Sequence, residues 1–241
     1  MAEEGEGVDR RAYLSRRVSQ TKARIADAAV RAGRSASDVT LIAVTKTWPS
    51  SDVRLLAALG VTDVGENKAK ELVDKVAECQ ELPLTWHFVG QLQRNKVKQV
   101  VPLVDMIHSV DRSALVMAID RAVAEVDGSP MKCLVQVNLD PSVIEGRAGV
   151  APREALRLAD EVAGAEHLTL AGVMAVAPRG LDPQPAFDLL RDVSGRITDQ
   201  HRSATVISAG MSGDFVPAIA AGATHIRLGS ALLGERAELV R

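Results

Sequence analysis

The chain is short of aromatic residues and of cysteine, has no surplus of charge, and contains no long apolar run. Two Trp, one Tyr and three Phe in 241 residues leave the core to Val, Leu, Ile and Ala. That composition suits the doubly covered strands of a parallel sheet. Cys79 and Cys133 are too few for a disulfide framework and match no metal-ligand spacing, so both read as reduced thiols. With 29 Lys+Arg against 31 Asp+Glu, the net charge of −2 excludes the strongly basic face of a dedicated nucleic-acid binder. The longest apolar run, Leu168–Ala177, is broken by Thr169 and Gly172. It falls short of the roughly 18 residues that a membrane helix needs. The opening MAEEGEGVDRR is acidic and lacks the apolar core of a signal peptide. These absences predict a cytoplasmic protein with no metal site and no membrane partner.

What is present is alternation. Residues 8–33 read as an opening helix closed by Gly33. Eight short β-branched runs follow, at 41–46, 61–66, 85–90, 105–110, 132–138, 168–176, 205–210 and 225–230. Between them lie amphipathic segments of helical period, clearest at 51–59, 67–79, 112–126, 154–162 and 185–197. Alternating βα units imply a parallel sheet with right-handed crossovers. Eight units in a chain of this length point to a closed (β/α)8 TIM barrel, a single domain over residues 1–241 with an extra N-terminal helix. An open doubly wound sheet is the competitor, but no GxGxxG follows the first run.

In such a barrel, chemistry sits where strands end and βα loops begin. The runs end on Lys46, Glu66 with Asn67, His87, His108 with Ser109, Asn138, Met174, Ser208–Ser212 and Arg227–Ser230. Polar groups left buried without partners would cost roughly 1–3 kcal/mol each, so the expectation is that they face a ligand or water. A lysine at this position can simply reach solvent along its aliphatic stem. If partly desolvated instead, its amine becomes a nucleophile for an aldehyde. SAGMSGDF (208–215) and HIRLGSALLGE (225–235) each bring Gly and Ser to a strand-to-helix turn, with Ser212 or Asp214 a candidate N-cap. Turns after strands seven and eight are the frequent phosphate site of this fold. Arg227 shares a strand face with Gly229 and is either a structural arginine paired with a carboxylate or a permanent donor to a ligand. His87 and His108 read as packed or solvent-facing rings, with acid/base work as the other option. Glu66 either orients a neighbour or caps the helix after it. The basic run Gln93–Lys98 reads as a solvated helix face, with partner docking as the second reading.

An aldehyde-reactive lysine, a phosphate cradle and an arginine together suggest pyridoxal 5′-phosphate. At this point the sequence resembles the YggS/PROSC-type pyridoxal phosphate homeostasis proteins, which are similar to the barrel domain of alanine racemase. The resemblance rests on LIAVTKT (41–47), GENKAKEL (65–72), WHFVGQLQRNK (86–96), IHSVD (107–111), LVQVN (134–138), GVMA (172–175), SAGMSGDF (208–215) and IRLGSALLGER (226–236). It implies a fold-type III cofactor site in which Lys46 forms the Schiff base and Arg227 lies beside the pyridine nitrogen. Ser208, Met211, Ser212, Gly229 and Ser230 would bind the phosphate, and Asn67 and Met174 would line the ring pocket. Two positions depart from the pattern: Arg147 stands where the family often has Lys, and Gly213 where it often has an acidic residue.

Arginine at the ring nitrogen leaves that nitrogen unprotonated and weakens the cofactor as an electron sink. The resemblance implies that alanine racemase adds a tyrosine from a second domain as the opposite base. Here the expectation is that no such domain follows, and the one tyrosine, Tyr13, lies in the opening helix. The reading is therefore a non-catalytic, monomeric cofactor carrier, making transient contact with apoenzymes. An amino-acid racemase is the alternative. A Schiff-base aldolase of this fold is the third, disfavoured because its lysine commonly arises from a later strand.

Overall fold

The computed structural model describes residues 2–126, 128–140 and 148–235. Eight parallel strands close into a barrel in chain order. They are β1 (Thr40–Val44), β2 (Asp63–Glu66), β3 (Thr85–Phe88), β4 (Met106–Val110), β5 (Met131–Asn138), β6 (Leu168–Val176), β7 (Val206–Ser208) and β8 (His225–Leu228). The helices are α1 (Ala2–Arg31), α2 (Ser50–Ala58), α3 (Ala69–Glu78), α4 (Val97–Val100), α5 (Ser113–Val123), α6 (Ala155–Ala163), α7 (Gln184–Gln200), α8 (Phe215–Ala220) and α9 (Ser230–Leu233). The family of folds expected from the alternation is the one observed.

The boundaries differ in one consistent way. Several apolar runs outlast their strands: β1 stops at Val44, β3 at Phe88, β7 at Ser208 and β8 at Leu228. The residues beyond belong to the βα turns, which is where a barrel displays its functional groups. After β3 there is no full helix. A 3-10 turn at Arg94–Lys96, the one-turn α4 and a second 3-10 turn at Val101–Leu103 replace it. Pro102 has no N–H to continue an α-helical ladder there.

Strand alternation sorts side chains into two sets. Ala43, Val64, Phe88, Ile107, Val173 and Ile226 face outward and pack under the helices in one continuous apolar cluster. A separate, smaller interior cluster holds Met106, Leu134, Ala171 and Met174, with Val206 against it. Cys79 and Cys133 are both free and buried, and burial pushes the Cys133 thiol up to about 12.

The opening helix is attached by specific contacts as well as by its buried stripe of Leu14, Val18, Ile25, Ala28 and Ala29. Arg10 donates to both carboxylate oxygens of buried Asp52 on α2, at 2.9 and 2.7 Å, and to the Leu233 carbonyl of α9 at 3.2 Å. Its guanidinium also lies 4.5 Å from the Trp48 ring centre. Arg17 donates to the Ser230 carbonyl at 2.6 Å. α1 thus grips the elements that follow the first and last strands. Gly33, which ends this segment, has φ +69°, the left-handed value of a helix stop.

Gly172 is the tightest point in the sheet. Its φ is +149°, and a Cβ built there would lie 2.0 Å from the Val206 carbonyl oxygen of β7. Gly172→Ala therefore must push β6 away from β7. The expected cost is at least about 2 kcal/mol, from overpacking plus backbone strain. Urea denaturation measures it, and an unchanged midpoint would contradict the close approach.

Candidate functional site

The C-terminal end of the barrel opens into a cavity of about 460 Å3. A second cavity, of about 450 Å3, lies at the N-terminal end between α1 and the barrel, lined in part by Lys22, Thr40, Thr62 and Asp63. Both fall in the usual range for small-molecule sites, roughly 300–1,000 Å3. Their chemistry separates them. The C-terminal cavity is lined by Val44, Lys46, Asn67, Val89, Gly90, Val176, Met211, Ser212, Gly213, Arg227, Gly229 and Ser230. It combines an amine, a guanidinium, an amide and two Gly-Ser turns.

Lys46 is exposed and stands in the turn after β1, two residues past the strand end. The desolvated lysine considered as one option from the sequence is not what the structure has. The turn itself is strongly held. The Thr45 N–H donates to Gly65 O at 3.1 Å, and the Thr45 hydroxyl donates to Glu66 Oε1 at 2.5 Å. Lys75 of α3, almost fully buried, donates to both the Thr45 carbonyl (2.6 Å) and Glu66 Oε1 (2.5 Å). On the other side of Lys46, Thr47 has φ +67° and donates its N–H to Glu71 Oε2 at 2.7 Å. A non-glycine residue in that region costs about 1–3 kcal/mol, so it persists only where its surroundings enforce it. Burial pushes the Glu66 carboxyl up, while Lys75 and Thr45 pull it back. Burial also acts on Glu71, but the Thr47 N–H and the Lys75 and Lys68 charges hold its carboxyl below the ordinary value. Glu66 is thus the orienting residue of the two roles considered, and it does not cap α3.

The two Gly-Ser turns meet across the cavity. Gly210 has φ +91°, and a Cβ there would come within 2.7 Å of Ala218 and 2.9 Å of Phe215, so the turn needs glycine. The Ser212 hydroxyl accepts the Ala231 N–H at 3.1 Å and ties the first turn to the second. Asp214 Oδ1 accepts the Met211 N–H at 2.5 Å and makes no cap bond to α8. The N–H groups of Ser212, Gly213 and Ser230 donate to no described residue. With α8 at six residues and α9 at four, helix dipoles add little; the free N–H groups of the turns supply the positive potential.

Beneath the cavity lies a buried polar chain. Arg227 donates to the Ser208 hydroxyl at 2.6 Å and to the Ala175 carbonyl at 2.8 Å. Ser208 Oγ lies 2.9 Å from His108 Nδ1, His108 Nε2 lies 3.0 Å from His87 Nδ1, and His87 Nε2 lies 3.1 Å from Asp63 Oδ1. Burial lowers Arg227 to about 10, with Asp214 opposing, so the group remains a cation at neutral pH. Burial, then the neighbouring His87 and Arg227, hold His108 well below its ordinary value. His225, whose ring centre is 6.4 Å from that of His87, is lowered to about 4, mainly by burial.

The structure therefore brings together Lys46, Asn67, Met211, Ser212, Arg227, Gly229 and Ser230 on one cavity. It does not bring Ser208 or Met174 to the cavity wall. Ser208 is fully buried and occupied by Arg227 and His108, and Met174 packs inside the barrel against Met106 and Leu134. The expectation that the strand-end polar groups face a ligand is corrected for His87, His108 and Ser208, which face one another. Arg227 has no carboxylate among its described hydrogen-bond partners. Asn138 instead accepts the Asp140 N–H, and Ser109 is buried. Arg147 lies outside the described residues. Val89 and Gly90, which end the third run, also line the cavity, and Lys75 supports it from α3; none of the three was expected. A lysine three positions after Leu72, on the buried stripe of α3, was the available signal. Among the described residues no cluster of His, Cys, Asp or Glu could hold a metal, and no helix is long and apolar enough to cross a membrane.

The alanine racemase N-terminal domain family profile matches residues 20–237. A relative in Mycobacterium leprae, named pyridoxal phosphate homeostasis protein, is 37% identical, covering 94% of each chain. A solved protein of Bifidobacterium adolescentis superposes with a TM-score of 0.86 at 30% identity, over 93% of this chain and 96% of that one. PipY of Synechococcus elongatus, solved with PLP bound, gives a TM-score of 0.79 at 34% identity, over 92% of this chain and 100% of that one. The chain belongs to the alanine racemase N-terminal domain family and, within it, to the pyridoxal phosphate homeostasis proteins.

His108 and His225 make a pH prediction. Unfolded, His108 and His225 protonate near 6.5. Folded, His225 does so near 4 and His108 also well below 6.5. Unfolding below pH 6.5 then takes up protons, so stability falls as pH drops. The expected slope is up to ~1.4 kcal/mol per pH unit for each histidine. Urea midpoints taken from pH 7 to pH 5 measure it, and a flat or opposite dependence would contradict two histidines held neutral by the fold.

Proposed function

We propose that this member of the family holds pyridoxal 5′-phosphate in the C-terminal cavity and serves as a carrier in homeostasis of that cofactor. The observation that carries the reading is the single cavity shared by the Lys46 amine, the Arg227 guanidinium and the free N–H groups of two Gly-Ser turns. When bound, the cofactor supplies an aldehyde that condenses reversibly with a primary amine.

The residues present fit that group. Asn67 Oδ1 is buried with no partner and gives the cavity an acceptor for a ligand donor. Ser212, Gly213 and Ser230 offer N–H donors to a phosphate, with the Ser230 hydroxyl available beside them. Hydrogen bonds to charged groups contribute roughly 1.5–3 kcal/mol each, so four would hold the ligand by ~6–12 kcal/mol before ordering costs. Arg227 uses two of its donors on Ser208 and Ala175 and keeps others for the cavity. A ring nitrogen meeting it must accept, and so stays unprotonated. Lys46 presents the amine at an exposed mouth, where water has access and a covalent attachment stays reversible.

Among the described lining residues there is no Asp, Glu, His, Cys or Tyr, and Lys46 is the one amine. Amino-acid racemisation needs a base on each face of the substrate carbon. This favours a non-catalytic carrier over a racemase. Within the same proposal the chain is a single-domain, cytoplasmic monomer that passes its cofactor to apoenzymes in transient contacts.

Lys46→Ala tests the assignment. After incubation with pyridoxal phosphate, borohydride should fix the cofactor to residue 46 of the unaltered protein and to nothing in the variant. Equilibrium dialysis should show that the variant still binds, with affinity reduced by about tenfold or more. Unchanged borohydride labelling of the variant would assign the attachment to another lysine.

A further inference from the structure

The polar chain under the cavity runs from one end of the barrel to the other, and its chemistry allows only one direction. Arginine can only donate, so Ser208 Oγ accepts from Arg227 Nη1. The hydroxyl then has one proton to place. Ser208 is fully buried, and its other described partner is His108 Nδ1. That nitrogen must therefore be the acceptor, and the proton of the neutral ring must be on Nε2. His108 Nε2–H donates to His87 Nδ1, which places the His87 proton on Nε2. His87 Nε2–H ends the series on Asp63 Oδ1, a carboxylate that can only accept when ionised. Each intermediate group accepts once and donates once, and only Arg227 has donors left over.

The two ends have different surroundings. Arg227 lines the C-terminal cavity, whereas Asp63, about one quarter exposed, lines the cavity at the N-terminal end. The guanidinium is buried and has no carboxylate among its described hydrogen-bond partners, Asp214 acting on it only through space. The carboxylate that answers it by hydrogen bonds is the one at the far end of the relay.

We propose that Asp63, His87, His108 and Ser208 are positioning residues for Arg227, a one-way hydrogen-bond relay that aims the guanidinium into the cavity and couples its donor strength to the charge on Asp63. The proposal rests on the cofactor reading above for its consequence, but not for its geometry. The relay turns the guanidinium plane through two of its nitrogens and leaves its remaining donors no other direction than the ligand. It also transmits a perturbation at the N-terminal cavity to the cofactor's ring without any movement of the backbone.

The test has two arms. In the first, the protein without cofactor is labelled with 15N-histidine, and long-range 1H–15N spectra are taken at pH 7. The expected result is a neutral ring protonated on Nε2 for both His87 and His108. An Nδ1–H tautomer or a charged ring at either position overturns the relay, whatever the protein binds. In the second, Asp63→Asn and Asp63→Glu are titrated with pyridoxal phosphate. Asp63→Asn, remote from the cofactor cavity, should weaken binding by about tenfold and shift the visible band of the bound cofactor. Asp63→Glu should restore both. An Asp63→Asn protein with unaltered affinity and band overturns the coupling. Failure of the unaltered protein to bind the cofactor at all would sink the function proposed above while leaving the tautomer result to decide the relay.

Discussion

The structure depends on the pairing of its first strand with its last. β1 and β8 are hydrogen-bonded neighbours, with Ile42 opposite Arg227 and Ala43 opposite Leu228. That closure removes both sheet edges. It also sets the turn after β1, which carries Lys46, beside the turn after β8, which carries Gly229 and Ser230. An amine from one end of the chain and a guanidinium from the other then share a cavity that neither end could form alone. The opening helix reinforces the same seam, because Arg10 and Arg17 bind elements that follow β1 and β8.

The barrel interior shows what this arrangement costs. An interior of this fold is usually filled by layers of branched apolar side chains. Here part of that volume holds an arginine, a serine and two histidines. Such groups are tolerable only when every donor has an acceptor, since a half-satisfied network is worse than an apolar core. The one-way order from Arg227 to Asp63 meets that demand for Ser208, His108 and His87, and leaves spare donors only on Arg227, which lines the cavity. Beside the relay, Met106, Leu134, Ala171 and Met174 form a small apolar cluster with no polar claims of its own. Stability has been traded for orientation: burial disfavours the charged form of His108, so this part of the interior weakens in acid.

Much of this was legible in the residues. The eight runs and the amphipathic segments between them reveal a closed parallel barrel, because strand period, helix period and chain length agree. Lys46, Asn67 and the two Gly-Ser turns stand out because polar residues follow apolar strands at the end where a barrel carries its site. What was not legible depends on three-dimensional partners. Whether Ser208 faces a ligand or Arg227 is decided by a one-residue difference between strand end and turn. His87 and His108 look like independent ring residues until β3 and β4 are paired and β7 is brought across the barrel. Lys75 and Glu71, which hold the Lys46 turn, lie on a helix whose role depends on its docking beside β2 and the turn after β1. The left-handed conformation of Thr47 has no sequence signal, since threonine disfavours it.

The central claim is that one cavity, formed where the first and last strands meet, takes the cofactor between Lys46 and the two Gly-Ser turns. A crystal structure of the protein grown with pyridoxal 5′-phosphate tests it most directly. The account predicts density joined to Lys46 Nζ, with the phosphate against the Ser212, Gly213 and Ser230 N–H groups and the ring nitrogen at Arg227. Cofactor density on a different lysine, or seated in the N-terminal cavity with this one empty, would contradict it.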